Sequence, residues 1–144
     1  MKLLVINGPN MNLLGIRDPN IYGKDSFADL ESLIRNTCAE LGIEVKLFQS
    51  NHEGAILDEI HAARGTQDAI LINPAAYTHT SIAIMDALKA VSLPAVEVHL
   101  ADPKKREPFR HRSYAGTACI KSITGQGIEG YRQGILHLKA HLEG

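Results

Sequence analysis

Glu97 and His99 stand two residues apart in Ala95-Val96-Glu97-Val98-His99-Leu100, a spacing that puts both side chains on one face of an extended strand. A carboxylate beside an imidazole fixes its tautomer and raises its proton affinity, which makes a general acid near neutral pH. The same pair also reads as a satisfied, partly buried histidine, because structural pairs perturb proton affinities too. Tyr22 and Arg17 offer the complementary chemistry. They belong to NGPNMNLLGIRDPNIYG, residues 7–23, a long polar loop with neither G-x-G-x-x-G nor a closing Gly-Lys-Ser/Thr, so it lacks the features of a nucleotide cradle. A phenol with a pKa of about 10 is a poor base at neutral pH, and a nearby guanidinium lowers an acid's pKa by about 1 to 3. A phenolate formed in this way removes a proton next to a carbonyl. The alternative is that Tyr22-Gly23 packs a turn while Arg17 is a solvated charge, and the residues alone leave both open.

Other polar groups are sorted by the same weighing. His79 lies among Thr78, Thr80 and Ser81 at the start of a helical pattern. There the hydroxyls of Thr78 and Ser81 read as helix caps, and His79 as an exposed histidine able to bind a ligand. Asn73 precedes Pro74, which ends its strand in an extended conformation and aims an amide at the adjoining crevice. His137 and His141 stand four apart on the final helical pattern, but no third ligand accompanies them, so a metal site is not expected. Lys104-Lys105-Arg106 reads as a solvated basic face rather than a nucleic-acid site. His52 and Glu53 belong to the start of a helix, and His61 falls within it.

The elements that position these groups alternate. Short apolar runs recur at Leu3 to Ile6, Val45 to Phe48, Ala69 to Ile72, Ala95 to Leu100 and Cys119 to Ile123, each of strand length. Between them, Ser26 and Asp29 read as a capping pair ahead of the face Leu30, Leu33, Ile34, Cys38 and Leu41, with Gly42 as the stop. Further helices are predicted over Glu53 to Arg64, Thr80 to Val91 and Ile128 to Leu142. Strict alternation of strand and helix predicts a parallel sheet covered by helices on both faces, an α/β fold. In such a sheet the active crevice lies outside the carboxyl ends of the strands. The loops after the first, third and fourth runs hold the polar groups named above, and their convergence on one rim is the reason to expect an enzyme.

Bulk properties are consistent with that expectation. The 144 residues, 44% hydrophobic, suit a single domain over 1–144 with its own core. A formal charge of -1 advertises neither nucleic acid nor an anionic membrane, so a small molecule is the expected partner. Cys38 and Cys119 form no CxxC pair and sit in apolar patterns, which favours reduced thiols and a cytoplasmic setting. No signal peptide or run of membrane-spanning length is recognised.

With these segments assembled, the chain strongly resembles the type II 3-dehydroquinate dehydratases, or type II dehydroquinases. The resemblance rests on GPNMNLLGIRDPNIYG, QSNHEGAILDEIHAA, INPAAYTHTSIA, VEVHL, REPFRHRSY and GQGIEGY, which follow the family's pattern in order and cover the chain essentially from end to end. It implies a flavodoxin-like three-layer fold with five parallel strands in order 2-1-3-4-5, assembled as a homo-oligomer, a dodecamer of trimers. It also implies anti elimination of water from 3-dehydroquinate through an enolate, with no metal or organic cofactor. In that picture Tyr22 beside Arg17 is the base on a mobile lid, and Asn10 holds a water at the enolate oxygen. His99, oriented by Glu97, protonates the departing hydroxyl with Asn73 close by. His79 and Arg110 bind ring hydroxyls, the amides of Leu100 and Ala101 take the carboxylate, and Asp86 reaches into a neighbouring subunit's site.

Four positions depart from the family's usual pattern: Ala75 for glycine, Met85 for arginine, Ala101 for serine or threonine, and Asp102 for asparagine. They keep open a homologue with weakened catalysis. A binding or signalling module on the same fold is the other class. A receiver domain needs an acidic cluster after the first strand and an aspartate after the third, where this chain has Asn7-Gly8 and Asn73, and a flavin module needs a hydroxyl-rich phosphate loop. An imine mechanism would call on a desolvated lysine, and Lys24, the lysine near the lid, has nothing to mark it as one.

Overall fold

The computed structural model describes residues 1–16 and 18–144, so Arg17 lies outside the described residues. Strands β1 (Lys2–Asn7), β2 (Glu44–Gln49), β3 (Ala69–Asn73), β4 (Ala95–His99) and β5 (Lys121–Thr124) form one sheet in the order β2-β1-β3-β4-β5. Every neighbouring pair is parallel, with Asn7 opposite both Gln49 and Asn73. The three central strands are buried on both faces, which is why β1 and β3 carry continuous apolar runs, while β4 breaks its run only with Glu97 and His99 at the site. The outer strands β2 and β5 are exposed or half-buried except at Ile123.

Side chains of successive strand residues feed two separate cores. Leu3, Val5, Leu71, Val96 and Val98 pack under α2 (Phe27–Glu40) and α5 (Glu129–Glu143) with Leu30, Ile34, Tyr131, Ile135 and Leu138. On the opposite face, Leu4, Ile6, Ile70 and Ile72 meet Ile56 and Ile60 of α3 (Glu53–Ala63) and Ile84 and Leu88 of α4 (Ile82–Val91). Each such Leu or Ile, fully buried, contributes roughly 1.5 to 3 kcal/mol relative to exposure. Gly134 lets α5 lie close to the sheet: a Cβ there would come within 2.8 Å of Leu71 Cδ1.

Local signals set the ends of these elements. Ser26 Oγ accepts from Asp29 N and Asp29 Oδ2 accepts from Ser26 N, the reciprocal cap expected for α2. Gly42 follows this helix with φ of 68°. Ser81 caps α4 by accepting from Ile84 N. Thr78 does not cap: it sits in a 3-10 turn over Ala75–His79, wholly buried, and its Oγ1 has no partner among the described residues. The fifth strand starts later than expected. Cys119 and Ile120 precede it, and Ile120 is 44% exposed, an apolar residue that does not enter the sheet. Both cysteines are free. No helix is long and apolar enough to cross a membrane among the described residues.

Candidate active site

Loops after β1, β3 and β4 meet at the carboxyl rim of the sheet around a cavity of about 180 Å³. Asp18 accepts from Asn20 N and opens a single helical turn, α1 (Pro19–Tyr22), which brings Tyr22 to that cavity. Arg106 faces the phenol: its Nη1 donates to Tyr22 Oη at 2.8 Å, and its guanidinium carbon lies 5.2 Å from the ring centroid. A planar guanidinium is suited to make both contacts. Arg106 was expected on a solvated basic face, and the structure corrects this. Pro103–Lys105 form a 3-10 turn capped by Asp102, and the chain leaves it extended, with Arg106 φ at -110°. Lys104 and Lys105 stay exposed while Arg106 turns inward to line the cavity.

His99 ends β4 at the same cavity with Glu97 behind it. His99 Nε2 lies 3.1 Å from Glu97 Oε2, and both residues are buried. The approach is off the ring N–H direction, so the contact is an ion pair when the imidazole is protonated, with no in-line hydrogen bond among the described residues. Ser113 Oγ donates to Glu97 Oε2, Ser122 Oγ donates to Glu97 Oε1 at 2.6 Å, and Gly116 passes close enough that a Cβ would meet Oε1 at 2.7 Å. Burial works against the charged carboxylate, but contact with His99, its positive charge and the two hydroxyls outweigh it and hold the Glu97 carboxyl below the usual range. The pair is thus a buried acceptor built to keep its charge under an imidazole.

Further polar groups complete the walls. His79 stacks on His99 with ring centroids 6.4 Å apart, and its Nδ1 donates to the Arg112 carbonyl at 2.7 Å. Burial lowers its proton affinity, reinforced by the charges of His99 and Arg110, and these outweigh the Arg112 bond and Glu97. A neutral His79 therefore keeps Nδ1–H on the carbonyl and its other nitrogen as an acceptor. Asn73 is buried, with its amide already engaged: Nδ2 donates to Tyr131 Oη at 3.0 Å and Oδ1 accepts from Ala75 N at 3.0 Å. Tyr131 Oη in turn donates to Asn7 Oδ1 at 2.5 Å, which ties three elements beneath the cavity. Burial pushes the Tyr131 phenol well up, so it stays a neutral donor.

The cavity brings together Tyr22, His99, Asn10, Asn73, His79, Leu100, Ala101 and Arg110 from the expected set, with Glu97 directly behind. Asp86 is exposed on α4 and outside this lining. Arg17 lies outside the described residues. Sequence reasoning missed Arg106, Ser113, Ser122 and Tyr131. REPFRHRSY carried a signal for the first two, since its hydroxyl and guanidinium follow the acid's strand. For Tyr131 the helical pattern gave only an apolar position. Among the described residues no cluster of three or more His, Cys, Asp or Glu is placed to hold a metal.

Residues 1–139 match the family model described as Dehydroquinase class II. The chain is 53% identical over 143 residues to a 3-dehydroquinate dehydratase of Caldicellulosiruptor bescii, covering 99% of this chain and 99% of that protein. It is 52% identical over 137 residues to the catabolic 3-dehydroquinase of Emericella nidulans, covering 95% of this chain and 90% of that protein. The crystal structure of type II dehydroquinase from Butyrivibrio crossotus agrees with a TM-score of 0.95 at 50% identity, covering 96% of this chain and 97% of that one.

Proposed function

Since the chain belongs to the class II dehydroquinase family, we propose that it dehydrates 3-dehydroquinate to 3-dehydroshikimate by anti elimination through an enolate. Tyr22 takes the proton from the carbon next to the ketone, and His99 gives a proton to the departing hydroxyl. One proton is removed and one is supplied, so the products are the conjugated enone and water. The observation that carries this reading is the pairing within one cavity of a phenol oxygen held at 2.8 Å by a guanidinium and an imidazole backed at 3.1 Å by a buried carboxylate. The first arrangement sets a cation where negative charge develops during proton removal, and the second sets a carboxylate behind the proton donor.

The remaining roles follow the walls. The resemblance gives Arg17, outside the described residues, the role of a cation serving the base, and Asn10 holds a water at the developing enolate oxygen. His79 and Arg110 engage ring hydroxyls, Asn73 lies close to the departing hydroxyl, and the amides of Leu100 and Ala101 take the carboxylate. The α1 turn closes over the substrate and excludes water. Asp86, exposed on α4, reaches the site of a neighbouring copy in a dodecamer of trimers, and the whole of 1–144 serves as one catalytic domain in the cytoplasm. Ala101 offers no hydroxyl to the carboxylate, which favours a weakened homologue as the second reading.

Appearance of the conjugated enone, followed by ultraviolet absorbance, tests both. Wild type is expected to be active and Tyr22→Phe to lose about 10² to 10⁴ in kcat, the usual contribution of a general base. Equal activity in the two would remove Tyr22 from its role, and an inactive, correctly folded wild type would favour the weakened homologue.

A further inference from the structure

Asn10 is held by a residue that does not line the cavity. Its φ of 69° is left-handed, a conformation that asparagine adopts more readily than other residues with a Cβ. A hydrogen bond holds the backbone in place: Asn10 N donates to Asn51 Oδ1 at 2.9 Å. Gln49 Nε2 donates to the same oxygen at 3.3 Å and also reaches Gly8 O at 3.2 Å and Asn12 Oδ1 at 3.4 Å. Asn51 is itself anchored, because Tyr77 Oη donates to its carbonyl at 2.8 Å. Asn51 therefore joins the loop after β1 and the end of β2 through its carboxamide oxygen, and the turn after β3 through its backbone carbonyl. By contrast, the side-chain amide of Asn10 makes no hydrogen bond among the described residues, and Asn10 lines the cavity.

We propose that Asn51 is a positioning residue for Asn10: its carboxamide oxygen fixes the backbone of Asn10 so that the Asn10 amide is aimed at the water that meets the developing enolate oxygen. The proposal rests on the role given to Asn10 in the preceding reading. Asn51 touches no substrate, and its effect passes wholly through Asn10. A misplaced donor weakens the transition state more than the bound substrate, so the loss falls on kcat.

Steady-state kinetics of Asn51→Ala, Asn51→Asp, Tyr77→Phe and Asn10→Ala test this, with thermal melts to confirm folding. Asn51→Ala is expected to lower kcat about tenfold while KM moves less than about threefold, the pattern of a group misplaced at the reacting centre. Asn51→Asp keeps the acceptor and is expected to recover to within about threefold of wild type. In the Asn10→Ala background, Asn51→Ala should add less than about twofold, because both changes remove one interaction. Tyr77→Phe, a milder route to the same loss, should lower kcat by about threefold and likewise add little to Asn10→Ala, which keeps the test decisive if Asn51→Ala does not fold. An Asn51→Ala enzyme with unchanged kcat, or with the same loss in both backgrounds, would overturn the proposal. If Asn10→Ala is as active as wild type, the role of Asn10 fails together with the positioning role of Asn51. If Asn10→Ala is impaired and neither Asn51→Ala nor Tyr77→Phe is, only the positioning role fails.

Discussion

Tyr22 and Arg106 carry the clearest electrostatic consequence at the scale of single residues. The guanidinium donates to the phenol oxygen and lies over the ring, so it supplies charge and geometry together. A hydrogen bond to a charged group is worth about 1.5 to 3 kcal/mol, which converts to roughly 10- to 100-fold in rate if the phenolate is the reacting form. Arg106→Met is therefore expected to lower kcat by about that factor, and Arg106→Lys, which keeps charge but loses the planar contact, by less. In a Tyr22→Phe background the Arg106→Met loss should largely vanish, since its partner is gone. Stopped-flow or steady-state enone formation reads this, and a full loss persisting without the phenol would assign Arg106 to something other than Tyr22. Sequence alone exposed the phenol and not this companion. Arg106 follows two lysines, and nothing in Lys104-Lys105-Arg106 tells that the chain leaves a 3-10 turn extended and swings only the third cation inward. Glu97 and His99 were legible because a strand's period puts them on one face, whereas Ser113 and Ser122 come from a loop and a neighbouring strand whose register no local pattern encodes.

Elements were legible where one physical signal dominates. Short, largely apolar runs gave β1, β3 and β4, and the Ser26–Asp29 pair gave the start of α2. The start of β5 was not legible, because Cys119 and Ile120 are apolar by type yet lie in the bend that feeds an edge strand. The turn after β3 shows a sharper conflict between residue and backbone. Ala75 adopts φ of 54°, a left-handed conformation, and its N–H is tied to Asn73 Oδ1. This conformation costs an L-residue about 1 to 2 kcal/mol, and a glycine avoids that cost while losing about 0.5 to 1 kcal/mol through its freer unfolded chain. Ala75→Gly is therefore expected to stabilise the protein by about 0.5 to 1 kcal/mol, or a few degrees in Tm for a chain of this size. Denaturant and thermal unfolding measure it. A lower Tm in Ala75→Gly would mean that the alanine methyl packs against the core strongly enough to offset the backbone cost.

Across the whole molecule, the parallel sheet gathers buried titratable groups at one rim, and this ties stability to pH. Helix–strand alternation made the layers legible in advance, while the strand order depended on resemblance, because a run such as Ala69 to Ile72 does not state its neighbours. His79 and Glu97 both bind protons less readily in the folded chain than in the unfolded one. For each, the unfolded state holds more protons in the interval below its ordinary value, so stability rises with pH across that interval. His79 contributes fully above about 6.5, and its contribution is lost as pH falls through the lower native value. Glu97 contributes fully above about 4.3 and loses its contribution as pH falls further, when protonation leaves the Ser113 and Ser122 hydroxyls and the His99 charge without their shared acceptor. Acid should therefore weaken the fold in two stages, one just below neutrality where His79 titrates and one below about 4.3 where the buried carboxylate titrates. Urea midpoints measured at fixed protein concentration across this range should show His79→Asn without the first stage and Glu97→Gln, less stable at neutral pH, with a flatter second stage. Curves for both variants that run parallel to wild type would show that these groups do not set the acid limit of the fold.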